Sequence, residues 1–151
     1  MSATALPIAT HARMFGKYFE YGRYNDVVRE MDSLLAGFED GQACVLATIE
    51  GHHLAYAAAP MLDAPRLAAV TSSLCSMGET LTRDLGQHSF VALCVRTATG
   101  MALVQRLPRP AQQLILLTAI GEGNTHDQLA GASRACAAAI AAMSLRPTIE
   151  R

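Results

Sequence analysis

Hydrophobic and polar positions switch between two periods along this chain, and each switch marks an element. Val28, Met31, Leu34, Leu35 and Phe38 recur at helical spacing. Asn25 or Asp26 is placed to cap that helix, and Gly37 and Gly41 mark its end. Ala43 to Ile49 then reads as a strand, Glu50-Gly51-His52-His53 as a turn, and Leu54 to Ala58 as the returning arm of a hairpin that Pro60 closes. A long helix is predicted from Ala64 to Leu85. Asp63 or Ala64 caps it, Pro65 sits in its first turn and Gly86 follows its end. Three strands come next, Ser89 to Arg96, Met101 to Leu107 and Gln113 to Ile120, with turns at Thr99-Gly100 and Pro108-Arg109-Pro110. A last helix begins after Thr125, where Thr125 and Gln128 match a capping box, and runs to about Ser144, before Pro147.

The predicted order is α-β-β-α-β-β-β-α. Short turns make the paired strands antiparallel neighbours. Phe90 to Val95 and Leu114 to Leu117 are apolar at every position, the mark of strands buried on both faces. The expected fold is therefore of α+β type, a five-stranded antiparallel sheet with the central helix on one face and the two terminal helices on the other. Residues 1–24 form an aromatic-containing extension, 25–145 the domain, and 146–151 a tail.

The central helix carries two stripes. Leu67, Val70, Leu74, Met77, Leu81 and Leu85 are spaced three or four apart and read as the buried stripe. The opposite face holds Ala68, Ser72, Cys75, Ser76, Glu79 and Arg83, with Glu79 and Arg83 spaced to pair at i, i+4. A solvated helix face ordinarily carries long charged side chains. A small, weakly charged face lets another backbone approach, so these six residues are the expected interface for a second copy or a partner. If Ser89 to Arg96 lies at a sheet edge, Phe90, Val91, Leu93 and Val95 belong to a strand that invites pairing, with neither Lys nor Pro to blunt it.

Composition narrows the function classes. The chain has 151 residues, 51% of them hydrophobic, enough for one domain with a core of its own. Its formal net charge is −1 and no basic block occurs, which argues against nucleic acid. The apolar runs fall short of the ~18 residues a membrane span needs. The N-terminus, interrupted by His11 and Arg13, lacks a signal-type core, so a cytoplasmic protein is expected. Cys44, Cys75, Cys94 and Cys136 each lie in an apolar run without metal-ligand spacing and read as buried thiols rather than a disulfide framework. Five of the eight aromatics, Phe15, Tyr18, Phe19, Tyr21 and Tyr24, fall in the extension, which either packs on its own domain or anchors a partner.

Reactive chemistry is sparse along the chain. Gly121-Glu122-Gly123 lacks the third glycine of a dinucleotide loop, with His126 in its place, and Glu122 would repel a pyrophosphate. No phosphate-binding Gly-Lys-Ser/Thr loop and no Gly-x-Ser-x-Gly elbow occurs. His52 and His53, adjacent on an extended segment, point apart and have no third ligand nearby. Glu39-Asp40 reads as a solvated helix end. With no nucleophile–base pair, metal set or phosphate loop, the chain is expected to be no enzyme and to need no cofactor.

From about Val27 to Met143 the sequence resembles the Roadblock/LC7 domain family, in its bacterial MglB-like form. Five stretches carry the resemblance. They are Met31-Asp32-Ser33-Leu34-Leu35; the hairpin Cys44 to Gly51 with Leu54-Ala55-Tyr56-Ala57; Leu67 to Leu74 continuing to Glu79-Thr80-Leu81; Met101 to Leu107; and Leu114 to Ile120 with Leu129 to Ala142. The resemblance implies a profilin-like architecture and a homodimer in which third strands pair and central helices lie side by side. It also implies binding to a Ras-like small GTPase, with stimulated hydrolysis in some members, and no catalytic residues of the domain's own. The alternatives are a scaffold subunit without effect on GTP turnover and, less favoured, a small-ligand sensor.

Overall fold

A computed structural model of the protein describes residues 13–58 and 62–145. Pro60, His11 and Pro147, residues 1–12 of the N-terminal extension and the tail 146–151 lie outside the described residues. The helices are α1 (Tyr24–Ala36), α2 (Ala64–Asp84) and α3 (His126–Met143). The strands are β1 (Gly41–Thr48), β2 (His53–Ala58), β3 (Ala92–Thr97), β4 (Gly100–Arg106) and β5 (Leu114–Gly121). All five strands form one sheet in the order β2-β1-β5-β4-β3, and every neighbouring pair is antiparallel. The predicted elements and their order are thus present.

Strand alternation divides the core. Cys44 and Leu46 of β1, with Leu114 and Leu116 of β5, face α1 and α3 and pack with Val27, Met31 and Ile140. Val45, Ala47, Ile115 and Leu117 face α2. The central strands β1 and β5 are therefore buried on both faces, as their unbroken apolar runs predict. Each fully buried Leu, Ile or Met contributes roughly 1.5–3 kcal/mol of burial.

The helix starts follow local chemistry. The Asp63 side chain accepts from the Arg66 backbone N–H at 3.2 Å, capping α2 with Pro65 in the first turn. Thr125 and Gln128 complete the reciprocal capping box of α3. Neither Asn25 nor Asp26 caps α1. That helix begins at Tyr24 after a single 3₁₀ turn (Tyr21–Arg23), and Asp26, inside its first turn, pairs with Arg23 and Arg29 at 3.4 Å. A carboxylate there complements the helix dipole without capping it.

The chain before α1 is part of the same core. Phe15 and Phe19 are buried and stacked at 4.7 Å, and Tyr24 meets Phe15 edge-on at 5.2 Å. The Leu145 N–H donates to the Tyr18 carbonyl at 2.7 Å, tying the end of α3 to this segment.

Two expectations are corrected. β3 reads as doubly buried from its apolar run, yet it lies at the sheet edge and is largely exposed. It also starts later than predicted. Ser89, at φ +44°, turns the chain, and Phe90 tucks its ring beneath α2 before pairing begins at Ala92. The second correction concerns α2. Its sheet-facing side is Ala64, Ala68, Thr71, Cys75 and Gly78, all buried. Val70, Met77, Leu81 and Leu85, predicted as core, are 47%, 64%, 57% and 60% exposed.

Candidate interaction surface

The inversion of α2 has a steric cause. Its five small residues recur at spacings of four, three, four and three, a helical period as regular as that of the large stripe. Facing them, the sheet supplies bulk through Val45, Val104, Ile115 and Leu117. Against a floor already filled with large side chains, small residues let the helix backbone settle close without overpacking. At Gly78 the approach is closest, because a Cβ there would lie 2.2 Å from the Phe90 ring. Leu67 and Leu74 flank this seam and are half-buried.

The six residues expected to form an outer face therefore separate. Ala68 and Cys75 are buried against the sheet. Ser72 is half-buried, its hydroxyl donating to the Ile49 carbonyl and tying α2 to the β1–β2 hairpin. Glu79 is half-buried as well, and it pairs with Arg106 at the end of β4 rather than with Arg83. Arg106 is held in turn by its Nε–H, which donates to the Gln112 carbonyl at 2.7 Å. Burial, and secondarily the Glu79 carboxylate, raises the Cys75 thiol pKa above its ordinary value. Only Ser76 and Arg83 of the six are exposed, and Arg83 has no ion pair among the described residues.

What α2 offers to solvent is the large stripe. Beside it runs β3, bonded to β4 on one side and, among the described residues, open on the other. Leu93 packs on the α2 side of the sheet and alternation turns Val95 to that same side; Val95 and Val91, the latter just before the strand, are both exposed. Phe90 and Leu93 are half-buried. The result is an apolar helix stripe next to an apolar strand edge with unpaired backbone groups. Such a combination is uncommon on the surface of a protein that works alone. Periodicity could not reveal this surface. The hint in the sequence was Gly78, a residue a helix keeps at a cost unless something must come close.

Reactive groups do not converge. Among the described residues no group of three or more His, Cys, Asp or Glu could hold a metal. His52 is exposed in the hairpin turn, and His53 stacks edge-on with Tyr56 at 6.3 Å. Gly121 lies against the Asp40 side chain and donates its N–H to the Asp40 carbonyl at 2.7 Å, so the glycine turn after β5 sits against a carboxylate. Cys44, Cys75 and Cys136 are buried, Cys94 half-buried, and all four are free thiols. The Cys44 thiol pKa is raised well above the ordinary range, chiefly by its hydrogen bond with Cys136 and by burial. No helix of the described residues is long and apolar enough to cross a membrane.

No family model and no curated protein matches the sequence. Solved structures do match the fold. A structure described as MglB with tetrameric arrangement aligns with TM-score 0.69 at 17% identity, over 80% of this chain and 89% of that one. Myxococcus xanthus MglB aligns with TM-score 0.70 at 12% identity, over 79% and 87%. A Roadblock/LC7 domain from Streptomyces avermitilis aligns with TM-score 0.67 at 16% identity, over 74% and 91%. At such identities the likeness is one of fold: this chain has the Roadblock/LC7 fold of the MglB type.

Proposed function

We propose that the protein is a non-enzymatic, cytoplasmic regulator that forms a homodimer and, as a dimer, binds a Ras-like small GTPase. One observation carries the self-association. β3 has the sequence of a buried strand and the position of an edge strand. A second copy of β3 would satisfy its open backbone groups, and the exposed stripe of α2 beside it would meet its counterpart across a two-fold axis. The tetrameric arrangement described for one MglB of the same fold supports self-association in this one.

The GTPase partner rests on the Roadblock/LC7 resemblance, and the paired α2 helices are its docking surface. Ser76 and Arg83 form the polar half of that surface; the large stripe forms the apolar half. Light scattering of the purified protein at micromolar concentration tests the dimer, and a monomer would overturn it. For the partner, the protein is mixed with the small P-loop GTPases of its own source organism, and binding and GTP hydrolysis are measured. Binding with faster hydrolysis supports an activating role, binding with unchanged hydrolysis supports a scaffold, and no binding overturns the GTPase reading.

A further inference from the structure

A cavity of about 730 Å³ opens at the end of the sheet where β4 runs out and the chain returns toward β5. Its polar lining comprises Gln105, Arg106, Arg109, Gln112, Arg134 and Ser89, three guanidiniums with no carboxylate. The three arginines reach it from different places, Arg106 at the end of β4, Arg109 in the following turn and Arg134 on α3. Arg106 is already neutralised by Glu79 and pinned to the Gln112 carbonyl. Arg109 and Arg134 have no ion pair or hydrogen bond among the described residues. In a chain of net charge −1, this end of the sheet is locally cationic.

Gln105 adds an independent observation. It is 7% exposed, it lines the cavity, and its side-chain amide has no hydrogen-bond partner among the described residues. The fully buried side-chain polar atoms without a partner among the described residues are Asn124 Nδ2 and Ser133 Oγ, so the Gln105 amide opens onto the cavity, where water or a ligand can bond it. The remaining wall is apolar, built from Phe90, Val91, Leu107, Pro108 and Ala138. The volume falls within the range of small-molecule sites, and the lining combines an apolar body with a few converging polar groups.

We propose that this cavity binds a small organic anion, a phosphate or carboxylate on an apolar body. The Arg109 and Arg134 guanidinium forks would clamp the headgroup, the Gln105 amide would bond the edge of the ligand, and Phe90 and Leu107 would cover its apolar part. Guanidiniums recognise planar or tetrahedral oxyanions by paired N–H donors, which suits two free arginines facing one space. The assignment does not depend on the proposed dimer or on a GTPase partner.

The test titrates the full chain with 1-naphthyl phosphate, 1-naphthoate and inorganic phosphate, followed by ¹H–¹⁵N spectra of side-chain amides and guanidiniums. At least one naphthyl anion should shift the Gln105 amide together with the Arg109 and Arg134 Nε–H signals, and should bind about tenfold or more tightly than inorganic phosphate. Arg109→Ala and Arg134→Ala should each weaken that binding about tenfold, since each removes one charge-assisted contact. Both sites are exposed, so the folded spectrum should persist. Unmoved Gln105 and arginine signals at millimolar naphthyl anion would overturn the site, and so would parental affinity in either alanine variant.

Discussion

A Cβ placed on Gly78 would lie 2.2 Å from Cε1 of Phe90, so the central helix rests on that ring through a residue with no side chain. The contact joins the C-terminal half of α2 to the segment that leads into β3. It sets which face of the helix meets the sheet, and so which face is left for a partner.

Replacing that glycine should reveal the contact. An exposed helix interior gains about 0.5–1 kcal/mol from Gly→Ala. Gly131 in α3 has open space around its Cα and should show the full gain. Gly78→Ala should show none of it, and Gly78→Leu should cost about 1–3 kcal/mol through overpacking. Urea midpoints of the three variants against the parent check this; an equal gain at both glycines would refute it.

Charge on the two faces of α2 should act in opposite ways. Met77→Lys combined with Leu81→Lys alters exposed positions, so the variant should stay folded and elute as a monomer in light scattering. Cys75→Arg or Ala68→Arg places an unpaired charge against Val45 and Ile115 and should lower stability by about 3 kcal/mol or more. Circular dichroism with size measurement separates loss of fold from loss of association.

Raising the pH should weaken the fold through its buried thiols. The Cys44 and Cys75 pKa values lie above the ordinary 9.0, so the folded chain holds protons that the unfolded chain releases. Stability from this source is complete below the unfolded thiol pKa and is lost as pH rises above it toward the folded value. Tyr18 and Tyr24, both raised above 10.0 chiefly by burial, add to the loss at higher pH. The urea midpoint should therefore fall above about pH 9, and the decline should be shallower in Cys75→Ala.

Capping sets the stability of α3 locally. Thr125→Ala removes the acceptor for the Gln128 N–H and should cost about 1 kcal/mol. Hydrogen exchange should quicken in the first turn of α3 while the amides of β1 and β5 keep their protection relative to global stability.

Much of the fold was legible in the pattern of residues. Strands buried on both faces announced themselves as unbroken apolar runs in β1 and β5, and turn residues separated β1 from β2 and β3 from β4. The Asp63 cap and the Thr125 box were readable because capping is local chemistry. The first helix cap was not, since α1 is propagated from the preceding 3₁₀ turn and its buried aromatics rather than from a side-chain acceptor. The ion pair between Glu79 and Arg106 was hidden as well, because its members are 27 positions apart and a local partner, Arg83, was available at helical spacing.

The amino-acid order alone thus specified the number, kind and succession of elements, because period, turn residues and caps act over a few neighbouring positions. It also specified that α2 has two contrasting stripes. Which stripe enters the core was decided by packing in three dimensions. The floor beneath α2 is made of side chains from β1, β4 and β5 together with Phe90, and its bulk leaves room only for Ala, Thr, Cys and Gly. The large residues are turned out by that steric requirement, and β3, similarly apolar, is left open because, among the described residues, four strands lie on its one side and none on the other. The surface proposed for partners exists through these non-local contacts, which no window along the chain contains.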